Sequence, residues 1–471
     1  MAQSFFFYDL ETSGLNPRED RIMQFAGQRT DLDLKPIGEP YNILVRLNDD
    51  TLPSPDAIMV TGITPQKTVE EGYSEAEFVK QLVEEVFTPD TIMVGYNNVR
   101  FDDEFIRYLL WRNFYDPYEW TWKDGRSRWD LLDVVRMTRA LRPDGINWPV
   151  DKDGKPTNRL ELITKANAIA HDNAHDALAD VVALIAVTQL IKDLQPQLYE
   201  YLLKMRDKKA VKKLANLEDK QPFVYASGRF DAAWNKLTIV LPLTSAPNGN
   251  VLVYDLRYDP IDFVKLSEAD LRAKVFAKWE DRKKDDFVKL PVKVMQYNRC
   301  PAVAPVGVLE SADGWTKVGI TKEQVTERIR VLAMHPDFGE KLRTIFESER
   351  DFEAAKDPEG KLYDGFLNDL DRMRVEKVRA SDETALADFH PEFGDERLDP
   401  LLLHYKSRNF PLSLSQAETE AWETWRVERL QRLLPNFTSS LNRIAKSADD
   451  DKQFLLQELQ LWAEAIIPAN D

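Results

Sequence analysis

Four carboxylates and one histidine, gathered in three short clusters, carry the chemistry open to this chain: Asp9 with Glu11, then Asp102, then His175 with Asp180. Phe5-Phe6-Phe7-Tyr8-Asp9-Leu10-Glu11-Thr12 reads as a strand buried on both faces, as in the middle of a sheet. Successive strand side chains alternate, so Asp9 and Glu11 lie side by side. Two carboxylates at a buried strand end repel each other unless cations neutralise them. Mg²⁺ is the natural cation: it takes hard oxygen ligands and needs only one or two carboxylates. An acidic chain carries Asp-x-Glu triplets by chance, most of them on solvated surface. Placement at the end of an apolar strand sets this one apart.

The second cluster, Gly95-Tyr96-Asn97-Asn98-Val99-Arg100-Phe101-Asp102-Asp103, follows the strand-like Thr91 to Val94 and leads into a helix from Glu104 to Arg112. Asp102 therefore falls at a strand-to-helix junction, where a carboxylate could equally be a cap. Asp103 could play either part. In the third cluster, His171 with Asp176 and His175 with Asp180 share the spacing His-x4-Asp, ahead of an apolar helix from Val181 to about Leu194. Five helical residues span about 140°, so a pair meets at one site only if its histidine sits on the entering turn. His175 and Asp180 fit that better. Any one cluster could be a helix-dipole carboxylate with a surface histidine, but three in order on alternating strands and helices describe a two-metal nuclease site.

These motifs resemble the signature of the DEDDh 3′ to 5′ exonucleases, which share a ribonuclease H-like fold. The resemblance extends to Val60-Thr61-Gly62-Ile63-Thr64-Pro65-Gln66, Asn113-Phe114-Tyr115-Asp116-Pro117-Tyr118, Arg128-Trp129-Asp130-Leu131-Leu132-Asp133-Val134 and Leu141-Arg142-Pro143-Asp144-Gly145-Ile146-Asn147-Trp148-Pro149. Those stretches look like bacterial exonuclease I, a family specific for single-stranded DNA. The likeness continues more sparsely through Leu362-Tyr363-Asp364-Gly365-Phe366 and Arg408-Asn409-Phe410-Pro411.

The resemblance implies that Asp9, Glu11, Asp102 and Asp180 are the metal ligands and His175 the general base. Two Mg²⁺ ions, with Mn²⁺ as a substitute, would then sit about 3.5 to 4 Å apart and stabilise both oxygens of an in-line displacement. A histidine with an ordinary pKa near 6.5 suits proton removal from the attacking water. Glu11, Thr12 and Arg142 are the implied substrate contacts, Thr12 and the backbone near Glu11 holding the terminal 3′-hydroxyl. The implied products are 5′-mononucleotides, released processively, with a role in DNA repair and recombination.

The elements that must position these groups form three regions. Residues 1–196 read as the exonuclease domain, an α/β unit with a mixed sheet, and Ser74 with Glu77 boxes a helix ahead of Phe78, Leu82 and Val86. Residues 197–350 hold short β-type runs, Leu237 to Leu241, Val251 to Tyr254 and Val292 to Met295, around a turn at Ala246 to Asn250. Helices interrupt them from Ser267 to Lys278 and, capped by Thr321 and Gln324, from Val325 to Met334. The resemblance identifies this region as an SH3-like domain. Residues 351–471 read as nearly all helix, with Trp422, Trp425, Leu430 and Leu433 and then Phe454, Leu459, Trp462 and Ile466 at core spacing. In the family this helical domain and the SH3-like domain close a cleft over the active site. Tyr96, Tyr115, Trp120 and Trp129 are the aromatic candidates for base stacking.

At 471 residues, two to four domains are expected. A single cysteine, Cys300, excludes an internal disulfide and fits a reducing compartment. The opening Met1-Ala2-Gln3-Ser4 lacks a basic n-region, and no apolar run approaches a membrane helix, so a soluble cytoplasmic monomer is expected. A net charge of −17 argues at first against nucleic acid, yet basic residues cluster at Lys204 to Lys213, Arg282 to Lys284 and Arg372 to Arg379. Single-stranded DNA is the expected partner. Family members are recruited by the acidic tail of single-stranded-DNA-binding protein, but Pro301 to Glu310 diverges from the family there, and Glu310 would repel such a tail. The rival readings are an exoribonuclease of the same superfamily, against which the extra domains speak, and a silent binding scaffold, against which the intact carboxylates and histidine speak.

Overall fold

The computed structural model describes residues 3–171, 176–348 and 355–468. The chain divides into two compact units, Met1–Ser127 with His171–Ile185 and Glu353–Asp471, and Arg128–Ala170 with Ala186–Phe352.

The first unit is built on β1 (Ser4–Thr12), β2 (Ile22–Thr30), β3 (Tyr41–Leu44) and β4 (Thr91–Gly95), in the order β3-β2-β1-β4. β1 pairs antiparallel with β2, from Phe5 opposite Thr30 to Thr12 opposite Ile22, and parallel with β4, from Ser4 beside Thr91 to Phe7 beside Val94. A central strand must be apolar on both faces, and Phe5, Phe6, Phe7 and Tyr8 are all fully buried. Phe6, Tyr8 and Leu10 join Phe25, Phe78, Phe105 and Leu109 in one core. Burying each such side chain contributes about 1.5 to 3 kcal/mol. The opposite parity carries Phe5, Phe7, Asp9 and Glu11.

Helix α1 (Glu75–Gln81) begins at the expected capping box, with Glu77 N donating to Ser74 Oγ and Ser74 N to Glu77 Oε2. Beyond β4, Asn97 adopts φ +70°, a left-handed turn that asparagine tolerates, and the chain enters α2 (Asp102–Arg112). Asp102 thus sits at the strand-to-helix junction, as the sequence predicts. Helix α3 (Ala177–Leu194) begins just ahead of Asp180.

Helices α4 (Leu398–Asn409), α5 (Gln416–Ala445) and α6 (Asp450–Ile466) belong to the same first unit. Leu430, Phe437, Leu459, Trp462 and Ile466 pack with Met23, Leu47 and Ile58. Trp422 and Trp425 stack on each other, and His404 meets the first edge-on and the second at a tilt; Trp422 is buried, as its helical spacing predicts, while Trp425 is half-buried. A buried ionic network runs through this packing. Arg21, just before β2, donates to Glu359 at 2.6 Å, and Arg408 bridges Glu359 at 2.6 Å and Asp50 at 2.8 Å. Arg429 reaches Asp357 and the Glu19 carbonyl, Arg112 pairs with Glu75 at 2.7 Å, and His404 meets Glu359 at 2.8 Å.

The chain passes from the first unit to the second in the short strand β5 (Ser127–Asp130). The second unit contains an antiparallel sheet of β6 (Phe223–Ala226), β7 (Leu237–Ala246), β8 (Asn250–Asp255), β9 (Val292–Met295) and β10 (Ala302–Pro305), in the order β10-β6-β7-β8-β9. The predicted hairpin is the β7–β8 connection, with Asn248 at φ +61° and Gly249 at φ +69°. The interrupting helices run Glu268–Val275 and Lys322–Met334, the latter with the expected Thr321–Gln324 box. Among the described residues, no helix is long and apolar enough to cross a membrane.

Candidate active site

Alternation along β1 delivers Asp9 and Glu11 to one side, and the first turn of α3 delivers Asp180 to the same place. One carboxylate oxygen from each of Asp9, Glu11 and Asp180 lies within 4.8 Å of the others. Asp102, 4% exposed at the start of α2, is the carboxylate that acts most strongly on Asp9, ahead of Asp180 and Glu11. Burial is the largest influence on Asp9 and, with those three neighbours, holds its carboxyl well above the usual range. Glu11 is pushed up to about 8, chiefly by burial, then by Asp180, Asp102 and Asp176. Carboxyls this close and this poorly hydrated stay ionised only beside cations, and an all-oxygen donor set suits a hard divalent ion. The residues therefore fit a metal centre.

His175 lies outside the described residues. The other histidine of the cluster, His171, places Nε2 2.5 Å from Asp180 Oδ1. The two His-x4-Asp spacings do not foreshadow that contact, which joins residues nine apart. Asp176 accepts from the backbone N–H of Ala179 at 3.0 Å, a helix-capping contact. Thr12 is buried, and its hydroxyl donates to the Gly14 carbonyl at 2.7 Å. Arg142 lies in the second unit, where Nη2 donates to the Val308 carbonyl at 3.2 Å and to Ser311 Oγ at 2.9 Å.

Asp103 belongs to a different set of contacts from Asp102. Its Oδ1 accepts from the Tyr8 hydroxyl at 2.5 Å and from Asn98 Nδ2 at 3.2 Å. Neither Tyr8 nor Asn98 stands out in the sequence: Tyr8 is hidden in an aromatic run and Asn98 in a polar loop. The parity of β1 was the available signal, since it sends Tyr8 to the face away from Asp9. Of the aromatic stacking candidates, Trp120 packs on Phe87 in the core, Trp129 packs on Tyr199, and Tyr115 lies under Arg379.

Known families match the chain in three consecutive blocks: an Exonuclease model over residues 6–188, the Exonuclease I SH3-like domain over 206–348 and the Exonuclease I C-terminal domain over 356–466. Exodeoxyribonuclease I of Haemophilus influenzae is 41% identical, over 97% of each chain. This chain belongs to the exodeoxyribonuclease I family. It is an exonuclease, with a ribonuclease H-like domain, an SH3-like domain and a helical C-terminal domain in the family's order. The Escherichia coli Exonuclease I structure in complex with a dA16 oligonucleotide matches with a TM-score of 0.94 and 38% identity, over 99% of this chain and 100% of that one. A crystal structure of SSB/Exonuclease I in complex with the inhibitor CFAM matches with a TM-score of 0.91 and 36% identity, over 99% of this chain and 100% of that one. Exonucleases of this family are metal-dependent.

Proposed function

We propose that this chain hydrolyses single-stranded DNA processively from the 3′ end, releasing 5′-mononucleotides, with Asp9, Glu11, Asp102 and Asp180 as metal ligands and His175 as general base. The observation that carries this reading is the convergence of the half-buried Asp9, Glu11 and Asp180, one carboxylate oxygen from each lying within 4.8 Å of the others. The likeness to exodeoxyribonuclease I over nearly the whole length supports the substrate, since a close structural relative holds a dA16 oligonucleotide.

Bound to these carboxylates, two Mg²⁺ ions, replaceable by Mn²⁺, would supply the positive charge that stabilises the attacking and leaving oxygens of an in-line displacement. Asp9 and Glu11, whose carboxyls burial and their acidic neighbours push up, would be held ionised by that positive charge. A ring nitrogen of His175 takes the proton from the attacking water, which requires the neutral imidazole and ties activity to a pH above about 6.5. The Thr12 hydroxyl, already donating to Gly14, keeps its oxygen free to accept from the substrate's terminal 3′-hydroxyl. Arg142, with Glu11 and Thr12, completes the proposed substrate contacts.

The proposed domain limits are 1–196, 197–350 and 351–471. A monomer acting in the cytoplasm on repair and recombination intermediates is the matching cellular reading. Single-stranded-DNA-binding protein is the proposed partner, by analogy with the matched SSB/Exonuclease I structure. In this chain Glu310 pairs with Lys322 at 2.8 Å, which softens the repulsion an acidic tail would meet.

The test is incubation of the purified chain with 5′-labelled single-stranded DNA and Mg²⁺, beside duplex DNA, RNA and EDTA controls. Shortening from the 3′ end with mononucleotide release, on single-stranded DNA and blocked by EDTA, is the expected result. RNA trimming with intact DNA would refute the substrate assignment, and tight binding without turnover would refute the enzyme mechanism.

A further inference from the structure

Beneath the carboxylate cluster lies a second polar group with no place in the chemistry so far. The Tyr8 side chain leaves β1 on the face opposite Asp9, as successive strand residues must. There its hydroxyl donates to Asp103 Oδ1 at 2.5 Å, while Asn98 Nδ2 donates to that same oxygen and to the Tyr8 hydroxyl oxygen, each at 3.2 Å. All three side chains are buried, with Tyr8, Asn98 and Asp103 at 0% exposure. The donor directions are consistent: Asp103 offers an acceptor, the single Tyr8 proton is committed to it, and only an amide nitrogen of Asn98 can serve both. Gly95 makes room for this arrangement, because a Cβ there would lie 2.5 Å from Asn98 Cβ.

Asp102 and Asp103 are the first two residues of α2. Consecutive helical residues project about 100° apart, so one turn of helix meets both faces of β1. Asp103 answers Tyr8, and Asp102 answers Asp9. We infer that Tyr8 and Asn98 are positioning residues for the metal-binding carboxylates: by fixing Asp103 they fix the rotation of the first turn of α2, and with it the Asp102 carboxylate. This rests on the proposed role of Asp9 and Asp102 as cation ligands. Neither Tyr8 nor Asn98 touches substrate or metal in this scheme, and their influence is felt as metal affinity.

Tyr8→Phe removes one hydroxyl and keeps the ring, so it is the first variant to make in the full-length chain. Calorimetric titration with Mg²⁺ alone should show roughly tenfold weaker binding, the size of effect expected from losing a contact that orients a ligand. On a 5′-labelled oligonucleotide at limiting Mg²⁺, kcat should fall by a similar factor with KM for DNA within about twofold, and added Mg²⁺ should restore most of it. Asn98→Ala removes the other donor and should act in the same direction, which keeps the test open if one variant folds poorly. A merely structural role would lower the melting temperature but leave Mg²⁺ affinity and the Mg²⁺ rescue unmoved, and that result in both variants would overturn the inference. Asp9→Asn run in parallel separates the premise from the inference. If Asp9→Asn binds Mg²⁺ and hydrolyses DNA like the wild type, the active-site reading fails and the inference with it. If Asp9→Asn is inactive while Tyr8→Phe binds Mg²⁺ normally, only the inference fails.

Discussion

Glu11 and Asp9 resist ionisation because burial and mutual repulsion act together, and the sign of the resulting pH dependence is definite. A carboxyl whose pKa is higher in the folded state than in the unfolded state binds more protons when folded. For Glu11, stability is greatest below the unfolded value near 4.5 and declines as pH rises toward about 8. In EDTA, the melting temperature should therefore fall between pH 5 and pH 8, and Mg²⁺ should raise it most at the alkaline end. Glu11→Gln should flatten the EDTA profile; an unchanged slope in thermal denaturation would show that Glu11 is not its source. The same substitution, or Asp9→Asn, should lower kcat by roughly a thousandfold, since it removes several kcal/mol of transition-state charge stabilisation. Activity should also fall below about pH 6.5 if His175 is the base, and His175→Ala should abolish that titration in a kcat profile.

At the scale of elements, the site depends on where strands end and helices begin. β1 ends in the two carboxylates, β4 ends at Gly95 and hands over to α2, and α3 starts just ahead of Asp180. Gly95→Ala should therefore cost more than the ordinary gain from replacing glycine, because its Cβ would displace Asn98. Helix starts away from the site test local propensity alone. Ser74→Ala removes the capping box of α1 and should destabilise the chain by about 1 kcal/mol in urea denaturation while leaving kcat unchanged. These boxes, at Ser74, Thr321 and Ser415, are visible in the sequence because they need only residues three apart. The π-helical turn at Leu82–Val86, which ends the first of these helices, is not foreshadowed by any local pattern.

Across the first unit, the buried ionic network ties the sheet to the C-terminal helices. Asp50, Glu75 and Glu359 are each opposed by burial, yet Arg408, Arg21, Arg112 and Arg429 hold their carboxyls below the usual range. Carboxyls depressed in the folded state stabilise it above the unfolded pKa near 4, and that stability is lost as pH falls through the folded values. The midpoint of urea unfolding should therefore drop as pH is lowered from 5 toward 3. Glu359→Ala should cost about 3 to 5 kcal/mol at pH 7, because it removes the closest buried carboxylate from both Arg21 and Arg408, leaving Arg408 with Asp50 and Arg21 with only longer contacts to Asp50 and Glu75. A loss below 1 kcal/mol in equilibrium denaturation would mean the network contributes little. Arg21 closes the turn that follows Glu11 and Thr12, through Ser13 N donating to the Arg21 carbonyl at 2.8 Å, so this network also borders the site.

Legible in the sequence were the candidate carboxylates, the strand that presents Asp9 and Glu11, the strand-to-helix junction at Asp102, and the family. Each rests on local periodicity, on caps a few residues apart, or on residue types that survive in order along the chain. The packed chain alone reveals that Asp103 takes the Tyr8 hydroxyl, that His171 meets Asp180, and that Arg21, Glu359 and Arg408 share one buried network. Those choices depend on contacts such as Tyr8 with Asp103 and Arg21 with Glu359, whose partners are separated by 95 and 338 residues. No local pattern encodes such pairings; they follow from packing the whole chain, where a buried polar group must find whatever partner the fold brings to it.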